Sequence, residues 1–381
     1  MRPESRAAAR RPLRWALALA LLLALSLTGC AQLTDIHDRS LIFGLGIDEG
    51  PGHGMVTVSA QAMHPREGGG SAGGGGGTTG GGGGGGAASS SWKTLVANGS
   101  TLSGALGHLQ AQTDREVFLG QLAIVFIGEG LARQGALHDL DAMVRSPQVS
   151  ENLPVVVAEG RADAFLQAGT KQQVAWRVRS FVTKPRTGLA VLPNPLWHFV
   201  TQSVDLGRAS YAPVFAGNPG GEALRLVGTG VFVAGRMVDM LPTKESTALA
   251  WMISRTNLGG VTLGSDGNEF HVAIHNVQAR WNVSEPTSPL LQLNATGEVT
   301  ASPGGTLASR PQAMQKEVAH DMEVQLLAVL HRLQADGADL LQIGERLRER
   351  GSLPPGPWSS HFADLRFRVR VKVHLVPGKV R

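Results

Sequence analysis

Leu27-Thr28-Gly29-Cys30 divides this chain into a part that directs export and a part that must fold afterwards. Five arginines come first, at positions 2, 6, 10, 11 and 14, then an apolar run from Trp15 to Leu27. A basic start, a short apolar run and small residues before a cut site make a secretory leader. The run is shorter than the ~20 residues that span a bilayer as a stable helix. Leu-Thr-Gly-Cys reads as a bacterial lipobox, in which the Cys30 thiol receives a diacylglyceryl group and cleavage leaves Cys30 as the first residue. The competing reading, an ordinary leader with a chance cysteine, leaves unexplained why the chain's single cysteine stands at the cut site. One cysteine allows no disulfide within the chain, so the fold after residue 30 rests on its core alone.

Each buried lipid methylene contributes ~0.8 kcal/mol, and two acyl chains anchor stably where one binds only marginally. The leader therefore predicts a protein held on the outer face of a membrane without spanning it. No later apolar run approaches spanning length, and everything after Cys30 is expected to be water-soluble.

The pI of about 9.8 suggests nucleic acid, but the charge sits in the leader. Residues 1–29 carry five arginines and one glutamate, so the formal +5 of the whole chain falls to about +1 after them. No basic nucleic-acid surface follows from that balance. Aromatic residues, at 5%, are too few for a base-stacking platform.

Residues 31–40 read as a short polar tether. Leu41–Asp48 is apolar and glycine-punctuated, Met55–Met63 alternates as a strand, and Glu49-Gly50-Pro51-Gly52 signals the turn between them. Residues 68–86 are almost pure glycine and read as a flexible loop that leaves the first domain and returns to it. After it the pattern predicts a strand at Trp92–Ala97, a helix at Leu102–Gln112 and buried strands at Leu122–Ile127 and Pro154–Ala158. Helices are expected at Leu131–Arg145 and Ala162–Gln167.

Residues 184–225 are proline- and glycine-rich with weak periodicity. We place a linker at 201–223, between an N-terminal domain (30–200) and a C-terminal domain (224–381). The second domain is expected to hold strands at 224–233 and 237–241, a helix starting at Thr243, and further strands between Val261 and Val299. A long amphipathic helix at Gln312–Gln334, a shorter one at Leu340–Arg350 and a final alternating strand at Leu365–Leu375 complete it. The fold class is α+β, multi-domain, with mixed sheets and packed helices.

Catalytic and metal signatures are missing from the sequence. The histidines form no H-E-x-x-H and no zinc spacing, and G-x-S-x-G does not occur. Asp35, His37 and Asp38, or His271 and His275, are the closest approach to a metal cluster; the first set lies on the tether and the second in a strand. The G-L-G-I-D stretch at 44–48 lacks the rest of any nucleotide-loop motif. The basic residues from Arg366 to Lys372 alternate with apolar ones, which a solvated strand face explains. No catalytic residue, cofactor or metal site is assigned.

Taken together, the motifs resemble the Ger(x)C lipoprotein family, the C subunits of bacterial spore germinant receptors. The likeness starts at the lipobox and Asp38-Arg39, followed by Leu41–Asp48, where the family has an A-x-G-I-D-like strand. It is strongest at Ile124–Ala132, continuing through Gly135, Leu140-Asp141 and Arg145-Ser146-Pro147. Gly228–Phe232, Met237-Val238, Glu245-Ser246 and Leu249-Ala250-Trp251 extend it. The resemblance implies a non-enzymatic subunit acting with integral membrane A and B subunits in nutrient-triggered germination, in the spore inner membrane. Cys30, as the lipid attachment site, is the one functional position it transfers. The alternative function is a solute-binding lipoprotein of a transporter, which calls for two similar lobes around a deep cleft.

Overall fold

A computed structural model describes residues 38–63, 92–167, 174–184, 191–217, 224–253, 259–263, 270–301 and 311–376. The leader, Cys30 and the glycine-rich stretch 68–86 lie outside these residues. Within them the chain is α+β, with two sheets and three apolar cores.

The first strand, β1 (Arg39–Glu49), returns as β2 (Val56–Met63) through a turn closed by Gly50 N–H donating to the Met55 carbonyl at 2.8 Å. β3 (Trp92–Gly99) adds to β2 in antiparallel register, with Met63 opposite Trp92. Helix α1 (Leu102–Gln110) is capped by Thr101, whose hydroxyl accepts from Gly104 N–H at 3.1 Å. The chain then lays β4 (Glu116–Phe118) and β5 (Ile124–Gly128) parallel to β1, turns through α2 (Glu129–Gln134) and α3 (Leu137–Val144), and enters β6 (Val155–Ala158). Helices α4 (Ala162–Gln167), α5 (Val174–Thr183) and α6 (Leu196–Val204) lead to β7 (Ala209–Gly217). β8 (Leu224–Val233) and β9 (Arg236–Pro242) close this sheet, whose order is β3-β2-β1-β5-β6-β7-β8-β9 with β4 beside β1.

β1, β5 and β6 read as continuous apolar runs because both faces of this sheet are covered. One face carries Leu41, Phe43, Ile124, Phe126, Val156 and Phe215 under α4 and α5. The other carries Leu45, Ile47, Val125, Ile127 and Val157 under α1, α2, α3 and α6.

The third core belongs to the second half. Helix α7 (Thr243–Ile253) leads to β10 (Gly260–Leu263), β11 (Phe270–Asn282) and β12 (Leu290–Ala301). Helix α8 (Pro311–Ala335), short helices α9 (Ile343–Glu349) and α10 (Trp358–Ala363), and β13 (Arg368–Val376) follow. β10 to β13 form a four-stranded sheet with β13 parallel to β12 at its edge. The stripe Val318, Met322, Leu326, Val329, Leu330 and Leu333 of α8 is buried as its spacing predicts. On β13, Val371 and Val373 are buried while Arg370, Lys372 and His374 are exposed, so the alternation is that of a one-face strand. Asp339 is buried between α8 and α9, where it accepts from Ile343 N–H, Gly344 N–H and the Trp358 indole at 2.9–3.0 Å.

Several elements differ from the sequence reading. Residues 201–223, expected as a linker, hold the end of α6 and all of β7, and β8 and β9 continue the first sheet instead of starting the second. β7 and β8 also give Ala209, Tyr211 and Val231 to the third core, so the two halves are joined by a shared ladder. The helix expected at Leu131–Arg145 is two helices. Gly135 breaks it with φ of 123°, and Ala136 N–H turns aside to the Gly235 carbonyl at 3.1 Å. Helices α5, α6 and α10 occupy segments for which no helix is expected. Of the strands expected between Val261 and Val299, the longest is β11, which runs unbroken from Phe270 to Asn282 with a register shift beside Asn276 at φ of 49°.

Candidate functional site

The carboxyl ends of parallel strands are where open α/β sheets present polar residues. Here β1, β5 and β6 end at Asp48-Glu49, Gly128-Glu129 and Ala158-Glu159, and the loop Gly160-Arg161 closes over them. Asp48 is fully buried. Its carboxylate accepts from Ala162 N–H at 2.8 Å and Asp163 N–H at 2.9 Å. Burial raises its pKa above the ordinary carboxylate range, and those two donors offset part of the rise. The Arg161 guanidinium binds both oxygens of Asp163 at 3.0 Å and lies 3.9 Å from Asp48. Glu129 N–H donates to the Gly160 carbonyl at 2.7 Å, and the Glu129 side chain pairs with Arg133.

Two glycines allow this close approach. A Cβ on Gly128 would stand 1.9 Å from Asp48 Oδ1, and one on Gly46 would stand 2.4 Å from Ser59 Oγ. The residues of the two strongest sequence motifs, 44–48 and 124–132, therefore meet in space. Asp48 is held by backbone N–H groups and Glu129 by Arg133, while Glu49 Oε2 and Ser59 Oγ beside them are buried with no hydrogen-bond partner among the described residues. The assembly locks two βα junctions, β5–α2 and β6–α4, to the end of β1.

Two open grooves flank this core. One, of about 720 Å³, lies between the β1–β2 turn and α2–α3 and includes Glu49, His53, Ser100, Thr101, His138 and Arg236. The other, of about 770 Å³, runs along the outer side of α5 past Trp176, Arg177, Arg179, Ser180, Thr183 and Lys184.

The remaining sequence candidates stand apart. His271 meets Thr262 Oγ1 at 3.3 Å and His275 lies 3.8 Å from Glu298, on separate parts of β11. Asp35 and His37 lie outside the described residues. Among the described residues no group of three metal-ligating side chains converges, and no helix is long and apolar enough to cross a membrane. Cys30 too lies outside the described residues.

Sequence reasoning missed a buried polar network on α6. Asn194, fully buried, donates to Gln202 Oε1 at 3.1 Å and to the Tyr211 carbonyl at 2.9 Å, and accepts from His198 Nδ1 at 2.8 Å. Burial lowers the His198 pKa, in keeping with a neutral imidazole donating through Nδ1. Ser203 and Ser210 add a hydroxyl pair at 2.8 Å. The signal available was Asn194 between Pro193 and Pro195, directly before an apolar helix.

Comparison with known proteins places this architecture. The family described as "Spore germination protein N-terminal domain" matches residues 32–216, and that described as "Spore germination B3/ GerAC like, C-terminal" matches residues 227–377. A Bacillus subtilis (strain 168) protein, YfkR, provisionally described as a spore germination protein, is 25% identical over 382 residues, covering 94% of each chain. The crystal structure of the GerBC protein superposes with a TM-score of 0.54 at 15% identity, covering 90% of this chain and all of that one.

Proposed function

The chain belongs to the Ger(x)C family of spore germination proteins, and from that premise we propose that it is a germinant-receptor C subunit. In this reading lipid on Cys30 holds it to the outer face of the spore inner membrane. It acts there without catalysis, by docking onto integral A and B subunits during nutrient-triggered germination.

One observation carries the reading: the two family matches follow each other in order from residue 32, directly after the lipobox, to residue 377. The solute-binding alternative calls for two similar lobes, and a nine-stranded sheet beside a four-stranded one does not supply them.

Pull-down of the lipidated protein from spore membranes tests the proposal. Multi-span partners should co-purify, and spores lacking the protein should lose response to at least one nutrient. If no such partner appears and those spores respond normally to every germinant tried, the receptor reading fails.

A further inference from the structure

The segment around helix α5 carries a local excess of positive charge. From residue 164 to residue 204 the sequence has five cations, Lys171, Arg177, Arg179, Lys184 and Arg186, and no carboxylate. The chain after the leader is close to neutral, so this is a local excess and not a general one. α5 packs on the sheet through Ala175, Val178 and Val182, which are buried. That leaves Trp176, Arg177, Thr183 and Lys184 on the exposed side of the helix.

Trp176 is the aromatic centre of this face. It is 41% exposed, lies 6.1 Å from the Phe43 ring, and is covered in part by the Arg179 guanidinium. Phe43 also meets Trp92 edge-on at 5.3 Å. On the same sheet face, at the start of β1, Arg39 stacks over Phe118. The carboxylates bordering this face are matched by arginines: Glu116 by Arg39, Glu159 by Arg225 and Asp163 by Arg161. Tryptophan beside lysine and arginine is the composition of surfaces that rest at a bilayer interface.

The position of the face agrees with its chemistry. Arg39 opens β1 nine residues after Cys30, so a lipid on Cys30 keeps this end within about 30 Å of the bilayer.

We infer that the outer side of α5, with Trp176 at its centre and Arg177, Arg179 and Lys184 around it, docks on the anionic lipid surface beside the anchor. The bilayer itself is the partner. Docking gives the protein a second attachment besides the acyl chains and sets which of its faces points to the integral subunits. The inference draws on the anchor reading only for nearness to the membrane.

The test uses the mature chain without lipid, residues 31–381, which retains every described core residue. Its co-sedimentation is measured with phosphatidylglycerol-containing vesicles and with neutral phosphatidylcholine vesicles. The chain should pellet with the anionic vesicles, release at 0.5 M salt, and bind neutral ones far more weakly. Each lysine or arginine near an anionic surface strengthens binding roughly fivefold, so the variant Arg177→Gln/Arg179→Gln/Lys184→Gln should bind on the order of 100-fold more weakly. Its thermal melt should match the parent, because these side chains cover little of the core. Trp176→Phe should abolish most of the fluorescence blue shift seen on adding vesicles. Failure of the parent chain to pellet, equal binding to neutral vesicles, or wild-type binding by the triple variant overturns the inference. Any of these leaves the Cys30 anchor, judged separately by fractionation, standing or falling on its own.

Discussion

Asp48 and Gly128 compete for one space: a Cβ at residue 128 would lie 1.9 Å from the Asp48 carboxylate, which is fully buried and pinned by two N–H donors from the start of α4. The last residue of β5 must therefore be glycine as long as β1 ends in Asp-Glu. This contact ties together two motifs about eighty positions apart in the chain.

A quantitative expectation follows from that competition. Gly128→Ala should destabilise the protein by about 2–4 kcal/mol, since the carboxylate must leave donors that are then buried unpaired. Asp48→Ala should cost a similar amount through the loss of both hydrogen bonds. Because Asp48→Ala also removes the obstacle, the double variant should be clearly less destabilised than the sum. Denaturant melts of the four-member cycle measure this, and strict additivity would refute it.

Asp336 is a carboxylate pushed toward neutrality, to about 6. Burial and the negative charge of Asp239 raise its pKa to about 6, while hydrogen bonds from Arg332, at 2.5–2.8 Å, hold Asp239 below the ordinary range. Between roughly pH 4 and 6 the folded chain keeps a proton on Asp336 that the unfolded chain has released. Stability from this group is thus fully present at low pH and is lost as pH rises through that window. Asp336→Asn should be more stable than wild type by about 1 kcal/mol at pH 7, after allowing for partial exposure, and equal to it near pH 4. Melts at both pH values decide it; a constant offset would show that Asp336 does not titrate as argued.

Met63 and Trp92 are register partners at the open end of the β2–β3 pair. The glycine-rich segment between them therefore joins two adjacent strand ends. Replacing residues 64–91 by a four-residue turn should change stability by no more than about 1 kcal/mol, because closure cost varies slowly with length. A loss of several kcal/mol in denaturant would mean that the segment contributes packing.

Cys30→Ala should transfer the protein from the membrane to the soluble fraction, or leave its leader uncleaved. Fractionation with a blot for chain length checks this. Processed protein that stays at the membrane as wild type does would remove the lipobox argument.

The sequence by itself determined the elements whose side chains repeat with a clear period. The α8 stripe and the β13 alternation are legible because each buries one face of a regular element, which leaves a repeat of 3.6 or two residues, and the β1–β2 hairpin because apolar runs flank a Gly-Pro-Gly turn. It also determined the family, because the motif residues lie within continuous stretches. The tertiary structure alone decided how those stretches meet. α5 carries a helical apolar period, Val174, Ala175, Val178, Phe181 and Val182, but only the sheet it packs on shows that this short stripe between charged residues is a core-facing helix. The boundary at 201–223 misleads because Pro213 and the glycines nearby break local patterns, while strand pairing depends on partners across the sheet: β7 ladders onto β6 and β8 regardless. Asp48 reads as the polar end of a strand until Ala162 and Asp163, more than one hundred residues later, are seen to donate to it. Hydrogen bonds and steric limits between distant segments leave no periodic trace, and they are what turns a list of elements into this particular surface.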